Sequence, residues 1–143
     1  MDSSVVVAAL LEFDALHGRA FALWNAIKAG KHIPVYTDCV ASETISVAAR
    51  RFEERGRGKE IGSFLDRYLE HIPMADIVWV LQDTQRLYPD ILDLVRSSRG
   101  ALNFNDALIA LVCRESGIPA IASFDADFDQ LPWLRRLAQP SDL

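Results

Sequence analysis

The chain alternates short apolar runs with segments whose apolar residues recur at helical spacing. Ala20, Phe21, Leu23, Trp24 and Ile27 share one helical face, which ends at Gly30. The β-branched run "HIPVYTD" predicts a strand, with Thr37 placed to cap a helix from about Asp38 to Arg55. "RGRGK" interrupts the pattern. Ile61, Phe64, Leu65, Tyr68, Leu69 and Ile72 then follow helical spacing up to Pro73, which cannot continue a helix. "DIVWV" predicts a buried strand, and Leu87, Ile91, Leu94 and Val95 a further helix that stops at "SSRG". "ALNFNDALIALVCRESG" predicts a helix with Asn caps at one end and Gly117 at the other, and "IPAIASF" the last strand, ahead of a short piece around "LPWLRRL".

Strands alternating with helices imply an α/β fold around a short, largely parallel sheet. No repeat, low-complexity tract or linker divides the chain, so residues 1–143 are expected to form one domain, long enough to bury a core without staples. The cysteines Cys39 and Cys113 sit in apolar stretches with no metal-ligand partner at short spacing, which reads as reduced core packing. The start has no basic segment, and its apolar run from Val5 to Leu11 is too short to cross a bilayer, so a cytoplasmic protein with no membrane association is expected.

A net charge of −5, from 20 acidic and 15 basic residues, argues against a protein that coats nucleic acid by counterion release. It leaves a nuclease open, because divalent ions in an acidic pocket would invert the local sign. The acids themselves carry the question. Asp125, Asp127 and Asp129 stand at alternate positions where the last apolar strand ends, and parallel strands of α/β folds place ligands at that end. A calcium loop starting at Asp125 fails, because Gln130 stands where the glycine is needed and Arg136 where the bidentate glutamate is needed. The D-x-D after a strand also has a local likeness to haloacid-dehalogenase phosphatases, but too little chain follows to hold that family's other residues.

Asp106 points the same way as Ile109, Ala110 and Cys113 on its helix, and a carboxylate among core-facing residues must be paired, hydrogen-bonded or metal-bound. A first-turn aspartate also caps a helix, so both readings of Asp106 stay open. Glu43 stands at the border of an apolar arc between Val40 and Val47. Asp2 opens "MDSSVVVAALL", an acid and two hydroxyls directly ahead of an apolar run.

The pieces "MDSSVVVAALL", "TDCVASETISVAARR" and "ALNFNDALIALVCRESGIPAIASFDADF", in this order over about the whole chain, resemble the PIN domain family, and specifically its VapC-type ribonuclease toxins. The resemblance implies a three-layer sandwich of helices around a short parallel sheet. It implies a pocket of Asp2, Glu43, Asp106 and Asp125, with Asp127 similar to an additional acid that some members use. Ser4 matches a small polar residue beside the first acid, and Ser123 a small hydroxyl residue just before the last. One departure stands out. The family usually places a few apolar residues ahead of its first acid as a first strand, whereas here only Met1 precedes Asp2, so Asp2 is expected to be the least firmly held of the four.

Oxygen donors of this kind suit Mg²⁺ or Mn²⁺ better than zinc. Such an ion polarises a phosphodiester and lowers the pKa of a coordinated water, so no protein nucleophile is needed. Asp2, Glu43, Asp106 and Asp125 are therefore expected to be catalytic metal ligands, with Asp127 as a further ligand. His17, His32 and His71 have no spacing that suggests a ligand set and are expected at the surface or its border. "RRFEERGRGK", with five basic against two acidic residues, reads either as an RNA-steering patch or as a solvated helix end with Arg50 and Glu54 paired. The expected activity is a metal-dependent endoribonuclease acting on RNA, a toxin silenced by a cognate antitoxin and assembled as a homodimer. The alternative is a PIN-like module that binds RNA or protein without cutting.

Overall fold

The computed structural model describes residues 1–30 and 32–143. Its helices are α1 (Ser3–Leu10), α2 (His17–Ala29), α3 (Asp38–Glu54), α4 (Ile61–His71), α5 (Thr84–Ser97) and α6 (Phe104–Glu115), and its strands are β1 (Tyr36–Thr37), β2 (Ile77–Val78), β3 (Ala120–Ala122) and β4 (Arg135–Leu137). The fold is α/β and rich in helix, with short parallel strands. β1 pairs with β2 and β3 with β4, both in parallel register.

The expected central sheet is thus divided into two strand pairs, and the start of the chain lies across the gap. The Met1 ammonium donates to the Val35 carbonyl at 2.9 Å, just ahead of β1, and the Asp2 N–H donates to the Ala122 carbonyl at 2.9 Å, at the end of β3. An apolar cleft of about 270 Å³ follows this seam, lined by Met1, Val35, Ile109, Cys113, Ile121 and Leu137 among others. Burial holds the Met1 amine below its ordinary pKa, against the opposing pull of Cys113, Asp2 and Cys39.

The run Val5 to Leu11 is buried throughout, with α1 packed against α2, α3 and α4. Three consecutive valines are poor helix formers, and here burial on every side outweighs propensity. Asp2 starts the helix as its N-cap, in extended conformation, with its side chain accepting from the Ser3 N–H. Such a cap contributes about 1 kcal/mol. Phe52, Phe64, Leu23 and Ile72 complete this part of the core, while α5 packs on α6 through Leu87 and Ile91. Cys39 and Cys113 are buried and free.

Three local expectations need correction. "DIVWV" is not a buried strand: β2 is short, Val78 and Trp79 are 47% and 57% exposed, and among the described residues β2 pairs with β1 alone. Thr37 holds the N-cap position of α3 but makes no capping bond; its hydroxyl lies 3.1 Å from the Cys39 thiol, and Asp38 Oδ1 takes the Cys39 N–H instead. The "LPWLRRL" piece contains a strand, β4, whose Arg136 is held outside the core by Asp129. The "SSRG" stop is explained by backbone handedness, since Arg99 and Gly100 both adopt positive φ, 57° and 81°. Among the described residues no helix is long and apolar enough to cross a membrane.

Candidate active site

Asp2 is 4% exposed and is the most thoroughly anchored of the candidate acids, contrary to the expectation that it is loosely held. Its Oδ1 accepts the Ser3 N–H at 2.7 Å. Its Oδ2 accepts the hydroxyls of Ser4 at 2.5 Å and Ser123 at 2.7 Å. Each serine also serves the far end of β3: Ser4 Oγ accepts the Phe124 N–H at 3.1 Å, and Ser123 Oγ accepts the Asp125 N–H at 3.0 Å. Two hydroxyls thus tie the start of α1 to the segment carrying Asp125, across nearly the full length of the chain.

Asp106 enters from the first turn of α6. Its Oδ2 accepts the Asn103 N–H at 2.9 Å, while Asn103 Oδ1 accepts the N–H groups of Asn105 and Asp106, which together form a capping box. The cap reading is therefore satisfied: one carboxylate oxygen closes the helix, and the other has no hydrogen-bond partner among the described residues. Asp106 is 7% exposed, and its pKa is pushed up to about 6, by burial first and then by the charges of Asp2, Asp125 and Glu43; the Asn103 N–H works in the opposite direction. Glu43, on α3, is likewise raised by burial and then by Asp2, with the Ser3 hydroxyl opposing.

Asp106 is thus within electrostatic reach of Asp2, Asp125 and Glu43, acids from distant parts of the chain. Asp125 caps the short turn Ala126–Gln130, its Oδ1 accepting the Asp127 N–H at 2.8 Å. Asp127 is exposed, and its charge is not among those acting on Asp106. His17 is half-buried against the Ala8 carbonyl, and His32 and His71 are exposed, as their spacing suggested. Arg50 and Glu54 form the expected exposed pair, at 3.8 Å.

A further buried acid, Asp38, has a different task. Its Oδ1 accepts the N–H groups of Cys39 and Val80, and its Oδ2 that of Leu81, so it fastens the segment after β2 to the start of α3. Its position directly after a strand is the same signal that singles out Asp125. Pattern alone does not separate a carboxylate filled by backbone N–H groups from one left open.

A family model described as PIN domain matches residues 1–134 of the chain. The chain belongs to the PIN domain family. Neither a comparison with curated proteins nor one with solved structures returned a match. PIN domains are generally nuclease modules that work with divalent metal ions.

The donors this PIN domain offers fit such an ion in kind. They are carboxylate and hydroxyl oxygens, and burial first, then the charges of Asp2, Asp125 and Glu43, push the Asp106 pKa up to about 6, a shift a cation would oppose. Among the described residues no three of the His, Cys, Asp and Glu side chains are already gathered as a ligand shell.

Proposed function

We propose that the chain is a VapC-type endoribonuclease that uses Mg²⁺ or Mn²⁺ to hydrolyse RNA phosphodiester bonds in the cytoplasm. The observation that supports this most is the coupling of Asp106 to Asp2, Asp125 and Glu43, four acids on four separate elements. Asp2, Glu43, Asp106 and Asp125 are the residues that would hold the ion, with Asp127 as an additional ligand. The bound ion supplies a polarised phosphodiester and an attacking water of lowered pKa.

The chain's own residues do the positioning. Ser4 and Ser123 hold Asp2 in place and, through the N–H groups of Phe124 and Asp125, keep the end of β3 in register with it. Asp106 has one oxygen fixed by the helix cap and the other without a hydrogen-bond partner among the described residues, free to take a ligand. The low exposure of Asp2 and Asp106 restricts water, which strengthens every charge interaction there.

A toxin of this kind is silenced by a protein partner. Leu69, Met74, Val78, Trp79 and Leu81 form a run of exposed apolar side chains from the end of α4 past β2, and this is the surface assigned here to a cognate antitoxin. The active form is assigned as a homodimer.

The reading is tested by incubating the protein with a panel of varied RNAs in Mg²⁺, Mn²⁺ or EDTA. Metal-dependent cutting that is lost in both Asp106→Asn and Asp125→Asn is the expected result. Equal cutting by these variants would trace the activity to a contaminant. The spacing of the acids favours one rival, a PIN module that binds without cutting, and RNA retention without cleavage in any metal would establish it.

A further inference from the structure

Arg19, on α2, is held by two contacts. Its Nε donates to the Ala138 carbonyl at 2.9 Å, and its guanidinium carbon lies 5.0 Å from the centre of the Phe124 ring. Phe124 stands between Ser123 and Asp125, and its N–H donates to Ser4 Oγ, so the ring under the guanidinium belongs to the segment that positions the acids. These contacts orient the plane of the side chain. They leave its two terminal amino groups with no acceptor and no carboxylate partner among the described residues.

Arg136, the other guanidinium beside this segment, is in a different state: its Nε and Nη2 are bonded to the two oxygens of Asp129, at 2.8 and 2.7 Å. Arg55 and Arg114 also lie over rings without a carboxylate partner among the described residues, but Phe13 and Trp133 are not in segments that carry a candidate acid. Arg19 is thus an oriented, exposed guanidinium, without a carboxylate partner among the described residues, lying over the ring that precedes Asp125 in the chain. A guanidinium fork fixed at Nε presents its remaining N–H groups in the geometry that phosphate oxygens accept. In a chain of net charge −5 with an acidic pocket, such a fixed cation also offsets the repulsion a polyanion meets on approach.

We propose that Arg19 is a substrate-positioning residue, whose terminal amino groups bind an RNA phosphate next to the one being cut. The inference rests on the ribonuclease reading above. Its test uses a mixed-sequence single-stranded RNA and compares the wild type with Arg19→Gln and Arg19→Lys. With Mg²⁺, Arg19→Gln is expected to raise KM about tenfold, the scale of one charge-assisted contact, with kcat nearly unchanged, and Arg19→Lys to recover part of the loss.

Binding is measured in an Asp125→Asn background, which blocks turnover. There, Arg19→Gln should flatten the dependence of log affinity on log salt by about 0.7, the contribution of one phosphate contact to a single strand. A wild type that cuts RNA alongside an Arg19→Gln variant of unchanged KM and salt slope overturns this inference and leaves the ribonuclease reading standing. A lowered Tm and kcat with an unchanged salt slope also overturns it, and reduces Arg19 to a tether for Ala138. A wild type that neither binds nor cuts RNA removes both.

Discussion

Ser123 Oγ donates a 2.7 Å hydrogen bond to Asp2 Oδ2, joining residues 121 positions apart in the chain. Ser4 donates to the same oxygen, and the two serine oxygens lie 3.5 Å from each other. A carboxylate with a single fixed orientation results, at the point where the two parallel strand pairs are bridged. The site and the closure of the fold therefore share one set of hydrogen bonds.

Ser123→Ala removes a fully buried hydroxyl and leaves the Asp125 N–H without its acceptor. Hydrogen bonds to charged groups contribute about 1.5–3 kcal/mol. The variant is expected to lose about 2 kcal/mol in urea unfolding and to cut RNA more slowly. An unchanged unfolding midpoint would mean that Ser4 alone is enough to hold Asp2.

The pKa of Asp106, at about 6 against 3.8 for an unperturbed aspartate, makes metal-free stability depend on pH. The native state binds this proton more tightly than the unfolded chain does. The corresponding stabilisation is complete below the unfolded value and is lost as pH rises through about 6. At most roughly 3 kcal/mol is involved. In EDTA, Asp106→Asn should abolish this dependence and melt at or above the wild type at neutral pH, since an amide oxygen can still accept the Asn103 N–H. A clear drop in Tm would show that the helix cap outweighs the charge repulsion.

Mg²⁺ or Mn²⁺ is expected to raise Tm at neutral pH, by an amount corresponding to about 2.7 kcal/mol when the ion is at about a hundred times its Kd. The gain should shrink as pH falls through about 6, where a proton on Asp106 competes with the ion. Glu43→Gln and Asp125→Asn should both reduce it. Differential scanning fluorimetry across a pH and metal grid reads all of this, and a metal response that is flat with pH would remove Asp106 from the ligand set.

Asp38 separates a structural acid from the proposed ligands. Asp38→Ala strips the acceptor from the N–H groups of Cys39, Val80 and Leu81 and should cost about 2–4 kcal/mol. The affinity for metal should stay within about twofold of wild type, a difference under 0.5 kcal/mol. Asp125→Ala should do the opposite, losing metal affinity and cleavage with a smaller change in stability. Calorimetric metal titration alongside thermal melts distinguishes the two patterns.

The sequence alone determined the helices after α1, because periodic burial of Leu23, Trp24, Phe64, Tyr68, Leu87 and Ile91 is a local property that shows in spacing, whereas the run Val5 to Leu11 is buried throughout and shows no period. It also carried the family signature and the candidate acids, of which Asp2 and Asp106 stand at helix starts and Asp125 at a strand end. β4 was not legible, because its paired arginines hide the alternation of a strand and its partner β3 lies across a turn. Neither was the weight to give Asp2 and Asp38. Only the folded chain decided that two serines remote in sequence lock Asp2 in place, and that Asp38 spends its oxygens on backbone N–H groups. The reason is physical: a carboxylate's role follows from which donors surround it, and in this molecule those donors come from parts of the chain that meet only on folding.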